Sequence, residues 1–110
     1  MARLPTTFDV FNAIAEPRRR QIVELLARRG NSSVGVLIAS MGMPQPAVSK
    51  HLGVLHKAGV VSVSKAGRQR IYSLNAQELK SVHDWAAQFD LLWTHQLERI
   101  KKRAEEKARK

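Results

Sequence analysis

Apolar residues recur along this chain at helical spacing in four successive blocks, then at strand-like spacing, then again at helical spacing. Phe8, Val10, Phe11 and Ile14 predict a short helix over about residues 7–15, with Thr7 or Asp9 placed to cap its free amides and Pro17 to end it. Proline also suits the first turn of a new helix. Ile22, Val23, Leu25 and Leu26 therefore predict a second helix over Pro17–Arg29, stopped by Gly30. Asn31-Ser32-Ser33 is a capping cluster, and Val34, Leu37, Ile38 and Met41 follow it on one helical face before Gly42. A tight Met41-Gly42-Met43-Pro44 connection then leads to a fourth helix, Gln45–Ala58, with Val48, Leu52 and Leu55 on its inner side and Gly59 closing it. Two short helices joined by about four residues around a glycine make a helix-turn-helix, over about residues 33–58.

The runs Val60–Ser64 and Ile71–Leu74 are short and β-prone. With Lys65-Ala66-Gly67-Arg68-Gln69-Arg70 between them, they predict a β-hairpin wing with a basic tip over about residues 60–74. Asn75, with Glu78 three residues on, reads as the cap of one long helix over about residues 76–104. Its apolar positions are Leu79, Val82, Trp85, Ala86, Phe89, Leu92, Trp93, Leu97 and Ile100, and the charged stretch Arg99–Lys110 is expected to fray. The fold class is mainly α with a small β-hairpin wing, a single winged helix-turn-helix domain over residues 1–110.

The length of 110 residues fits one hydrophobic core. No run of about 18 apolar residues and no signal-peptide pattern occurs, so the expected location is the cytoplasm, with no membrane partner. Zero cysteines exclude a disulfide framework, a thiolate nucleophile and a thiolate metal site.

Charge changes the picture more. The net charge of +10 points to a polyanion. Residues 1–74 hold eleven Lys/Arg against three acids, a net +8, whereas residues 75–110 hold eight against six, a net +2. From Glu24 to Glu78 no acidic residue intervenes, although Arg28, Arg29, Lys50, Lys57, Lys65, Arg68 and Arg70 do. Such a stretch has nothing to repel phosphate. A basic surface that only keeps the protein soluble would give the same total, so the order of elements decides.

A helix-turn-helix reads duplex DNA with its second helix in the major groove, where small residues allow close approach and amides or cations meet base edges. Here that helix offers Gln45, Pro46, Ala47, Ser49, Lys50, His51 and Gly53 toward its amino-terminal half and outer faces. Gln45 suits a bidentate contact with adenine, and Ala47 suits a thymine methyl. Ser49 and Lys50 can bond phosphate or a base edge, and His51 can donate to phosphate. In the wing, Lys65, Arg68, Gln69 and Arg70 would lie beside the backbone or in a minor groove, or else form a solvated turn whose cations protect an edge strand.

The string Gly42-Met43-Pro44-Gln45-Pro46-Ala47-Val48-Ser49-Lys50-His51-Leu52, continued through Val61, resembles the reading helix of the ArsR/SmtB family of bacterial regulators. Phe11–Ile22 is similar to that family's passage from first to second helix, and Gly67–Leu74 to its wing, so the likeness spans roughly residues 8–100. The resemblance implies a homodimer, joined through its first and last helices, that represses transcription by covering an inverted-repeat operator. Phe8, Phe11, Val82, Trp85, Phe89, Leu92 and Trp93 are the expected interface residues; the last helix is apolar on more sides than a small core can cover. Packing of both tryptophans inside the monomer is the alternative.

Many members of the family release DNA on binding a metal. The cysteine site of the third helix is absent here, and the last-helix site is represented only by His83, His95 and Glu98, with Ser81 where a first carboxylate belongs. The gap from His83 to His95 is also one residue too long, about 100° of helical rotation. No metal or other cofactor is therefore expected, and the effector is unknown. No catalytic constellation competes, so the chain is not read as an enzyme. The alternatives are a zinc-responsive repressor with a divergent last-helix site, a basic RNA- or membrane-binding protein, suggested by Arg18-Arg19-Arg20 and Arg99–Lys110, and a protein-interaction module.

Overall fold

The computed structural model describes residues 6–108, and their side chains from residue 10 onward. The elements run α1 (Thr6–Ala15), α2 (Pro17–Arg29), β1 (Ser32–Ser33), α3 (Val34–Met41), α4 (Gln45–Lys57), β2 (Val61–Ala66), β3 (Gln69–Leu74), a 3₁₀ turn (Ala76–Leu79), α5 (Lys80–Ala87) and α6 (Asp90–Ala108). This is the winged helix-turn-helix the sequence predicts. Backbone contacts divide it into two compact units, residues 1–80 and 81–110.

In the first unit, punctuation acts as expected. Pro17 opens α2, whose amino end is capped by Glu16: its carboxylate accepts from the Arg18 amide at 2.8 Å and the Arg19 amide at 3.1 Å. Ser33 caps α3 through the Val36 amide. Gly42 ends α3 in the left-handed conformation, at φ 63°, where a side chain would be strained. Beyond α4, the Gly59 amide bonds the His56 carbonyl and the Val60 amide bonds that of Leu55, a Schellman closure. The expected capping by Thr7 or Asp9 lies outside the described side chains.

The core gathers Val10 and Ala13 of α1, Ile22, Leu25 and Leu26 of α2, Leu37 of α3, and Val48, Leu52 and Leu55 of α4 against Val60, Val61 and Tyr72. The predicted inner face of α4 is thus wholly buried. Its one buried polar side chain among the described residues, Ser32, donates to the Gly30 carbonyl. The sheet order is β1-β3-β2, antiparallel throughout. Ser32 pairs with Tyr72 and Ser33 with Ile71, so β1 seats the start of α3 on the hairpin.

Three expectations need correction. The hairpin strands are longer than predicted: Lys65 pairs with Arg70 and Ala66 with Gln69, which leaves only Gly67-Arg68 at the tip. Gly67 takes φ 64° and Arg68 has no positive φ, as in a type II′ turn. Asn75 does not cap a helix with its side chain. Its Nδ2 donates to the Gly59 carbonyl and to Ser62 Oγ, and its backbone amide bonds Val60, so it braces the hairpin base.

The third correction concerns the last helix, which is broken. Gln88 Nε2 donates to the Trp85 carbonyl, the acceptor that the Phe89 amide would use in a continuous helix. That amide bonds Ala86 instead, and α6 restarts at Asp90. The charged end, expected to fray from Arg99, instead stays helical through Ala108.

Candidate nucleic-acid interface

Helix α4 presents three kinds of surface. Val48, Leu52 and Leu55 face the core. Gln45, Ser49, Gly53 and His56, spaced at four, four and three residues, face the hairpin; together with Arg68, Gln69, Arg70, Val63 and Tyr72, they line an open cleft of about 590 Å³. The residues Ser33, Val34 and Gly35, at the start of α3, close one side of it. The remaining surface carries Pro46 and Lys50, both exposed.

The cleft wall is set by register. Arg70 lies opposite Lys65 on the strand face that carries Val63 and Tyr72, because alternate residues of β2 and β3 share a face. The hairpin therefore leads from a buried tyrosine at its base to guanidinium and ammonium groups near its tip. Lys65 is exposed but does not line the cleft. No acidic residue lies between Glu24 and Glu78, so none lines the cleft walls. A concave surface with one sign of charge and amide and hydroxyl groups on a helix suits a polyanion with readable edges.

The predicted reading residues thus separate. Gln45 and Ser49 meet Arg68, Gln69 and Arg70 across one cleft, whereas Pro46 and Lys50 lie on the outer surface of α4. Ala47 is half-buried. His51, expected to donate to phosphate, is turned inward: its side chain is only 18% exposed, and Nδ1 lies 3.9 Å from Glu16 Oε2. The turn of α4 sets this, since His51 stands two residues from Ser49, about 200° around the helix. His56 was absent from the predicted site, and Gly53 was placed among the outward residues of the helix without a contact of its own. Their positions eight and eleven residues after Gln45, on the same helical face, were the available signal.

In the second unit, Trp85, Leu92, Trp93, Leu97 and Ile100 are each more than half exposed in the single chain, as is Leu91. Trp85 and Phe89 meet edge to face across the helix break, with ring centroids 5.3 Å apart. Of the other predicted interface residues, Val82, Phe89 and, in the first unit, Phe11 are half-buried; Phe8 lies outside the described side chains. His83 lies on α5, 3.4 Å from Asp84, while His95 and Glu98 lie on α6. The helical rotation expected between His83 and His95 holds only along one continuous helix, and the break interrupts it. Among the described residues, no helix is long and apolar enough to cross a membrane.

Residues 16–63 match the family model for bacterial regulatory proteins of the arsR family. The transcriptional repressor SdpR of Bacillus subtilis is 35% identical over 81 residues, 74% of this chain and 89% of that protein. The crystal structure of an ArsR family transcriptional regulator superposes with a TM-score of 0.69 at 30% identity, over 86% of this chain and 97% of the other. A homodimeric winged helix-turn-helix DNA-binding domain from Mycobacterium bovis, a possible ArsR-family regulator, superposes with a TM-score of 0.64 at 27% identity, over 78% and 82% of the two chains. A winged helix-turn-helix fold and a sequence shared with these proteins make this chain a member of the ArsR family of helix-turn-helix transcriptional regulators.

Proposed function

We propose that the protein is a homodimeric repressor that binds an inverted-repeat operator, with Gln45 and Ser49 meeting base edges and Lys50, Lys65, Arg68 and Arg70 meeting phosphate. The observation that carries this reading is the cleft in which Gln45 and Ser49 face Arg68, Gln69 and Arg70 with no acid on its walls. Pro46 and Ala47 let the backbone of α4 approach the groove floor, and Gly53 keeps its middle turn slim. The dimer is built from Phe8, Phe11, Val82, Trp85, Phe89, Leu92 and Trp93, consistent with the apolar surface of the second unit and with the homodimeric relative. Two-fold symmetry then sets the reading helices about 34 Å apart, one turn of DNA.

Release by arsenite would require thiolates, and the chain has none. The family's last-helix zinc site lacks its first carboxylate at Ser81, so we assign no metal to this protein.

Duplex titrations of single variants test the assignment of readers. Gln45→Ala and Ser49→Ala should each change the preferred base, by roughly 1–3 kcal/mol, while Arg70→Ala weakens all sequences alike. The affinity should fall steeply with salt, each phosphate contact adding a slope of about −0.9 in log K against log salt. An unchanged base preference in both helix variants would remove them as readers, and a flat salt dependence would end the phosphate account.

A further inference from the structure

His51 is the one predicted reader that the structure turns away from the cleft, and its surroundings give it another task. Its Nδ1 is buried and makes no hydrogen bond with any described residue. At 3.9 Å it faces Glu16 Oε2, the oxygen that caps α2. That carboxylate sits at the corner between α1 and α2. Arg19, one turn into α2, reaches back to the end of α1, with Nε donating to the Ala13 carbonyl at 2.6 Å and Nη2 to Asn12 at 3.3 Å. Partial desolvation works to raise the pKa of Glu16, but hydrogen bonds from the Arg19 and Arg18 amides, with the charges of His51 and Arg19, outweigh it and hold the group below its ordinary 4.5. The carboxylate is therefore an anion throughout the range in which an ordinary histidine titrates.

We propose that His51 is a positioning residue: protonated, it clamps the reading helix α4 to the α1–α2 corner through Glu16, and so couples DNA affinity to pH. The proposal rests on the DNA-binding reading above. The charged surroundings of His51 are few. Glu16 faces it directly and Arg19 stands behind Glu16. Helix α3 has no ionisable residue, and the only one of β2 is Lys65, near the hairpin tip. Asp9 of α1 lies outside the described side chains. A proton on Nδ1 would stand 3.9 Å from an anion, within ion-pair range, at a buried nitrogen that has no hydrogen-bond partner among the described residues. The α4 turn that holds His51 also places Ser49 and Lys50, so fixing one fixes the others.

The test measures operator affinity of the full chain from pH 5.5 to 8 in wild type, His51→Gln, Glu16→Gln and the double variant. Glutamine at 16 keeps an oxygen to cap α2 while removing the charge, so this variant should fold even where His51→Gln does not. Wild-type affinity should weaken with rising pH, and each single variant should lose roughly two- to fivefold of that pH-dependent gain, as expected for a partly exposed ion pair. The double variant should lose no more than either single. Wild type, Glu16→Gln and any folded His51→Gln protein with parallel pH profiles, or losses that add in the double variant, would overturn the clamp. A wild-type chain that binds no duplex at any pH would instead defeat the DNA reading on which it rests.

Discussion

Replacing Phe89 and Trp93 together by aspartate should leave the protein as monomers or unfolded chain and lower its operator affinity by about 100-fold or more. Trp93 is 51% exposed in the single chain, in the company of Leu91, Leu92, Leu97 and Ile100, so the second unit presents more apolar surface than it covers. Two-fold pairing would bury it. A charge placed in such an interface appears twice and has no partner, which is costly at both copies. Operator binding suffers because two linked half-site contacts gain an effective concentration worth about 10²–10⁴ in affinity, and a monomer forfeits it. Sedimentation reads the mass and duplex titration the affinity. A doubly substituted protein that stays a tight dimer would place the interface on another surface.

Leu52→Ala should destabilise the protein by about 2–5 kcal/mol, a large part of the roughly 5–15 kcal/mol typical of a small domain. Leu52 is fully buried on the inner face of α4 and also borders the cleft floor. Removing it leaves a cavity beneath the reading face, so affinity should fall along with the denaturant midpoint. By contrast, Lys50→Ala, at an exposed position on the same helix, should leave the midpoint nearly unchanged while weakening DNA binding. A Leu52→Ala protein as stable as the wild type would show that α4 is not seated as described.

How far the sequence could be read follows from where the determining interactions lie. Helices α2, α3 and α4 were legible because their stops are local: Pro17, Gly30, Ser33, Gly42 and Gly59 act through their own backbone or the adjacent turn. The winged fold followed from their order. The break between α5 and α6 was not legible, since apolar positions continue through it and no Gly or Pro marks it. At the break the Gln88 side-chain amide occupies the Trp85 carbonyl, a contact that neither residue type nor periodicity announces. Strand β1 and the bracing role of Asn75 depend on partners some 40 and 16 residues away, Tyr72 for Ser32 and Gly59 for Asn75. In the candidate site, Gln45, Ser49, Arg68 and Arg70, expected from residue type and helical order, line one cleft, while Lys65 lies outside it. His51 was misplaced because residue type favoured phosphate, whereas its angle around α4 turns it toward Glu16. His56 was not expected there because it lies beyond the amino-terminal half of α4, although it shares the cleft face with Gln45.

The central claim is that a dimer of this chain reads an inverted repeat through α4 and the wing. Selection of bound sequences from a random duplex library, followed by measurement of the mass of the complex, tests it most directly. The expected outcome is one enriched inverted repeat, its half-site centres about 10–10.5 base pairs apart, bound by two chains. Enrichment of no duplex sequence at low salt, or equal retention of RNA, would contradict it.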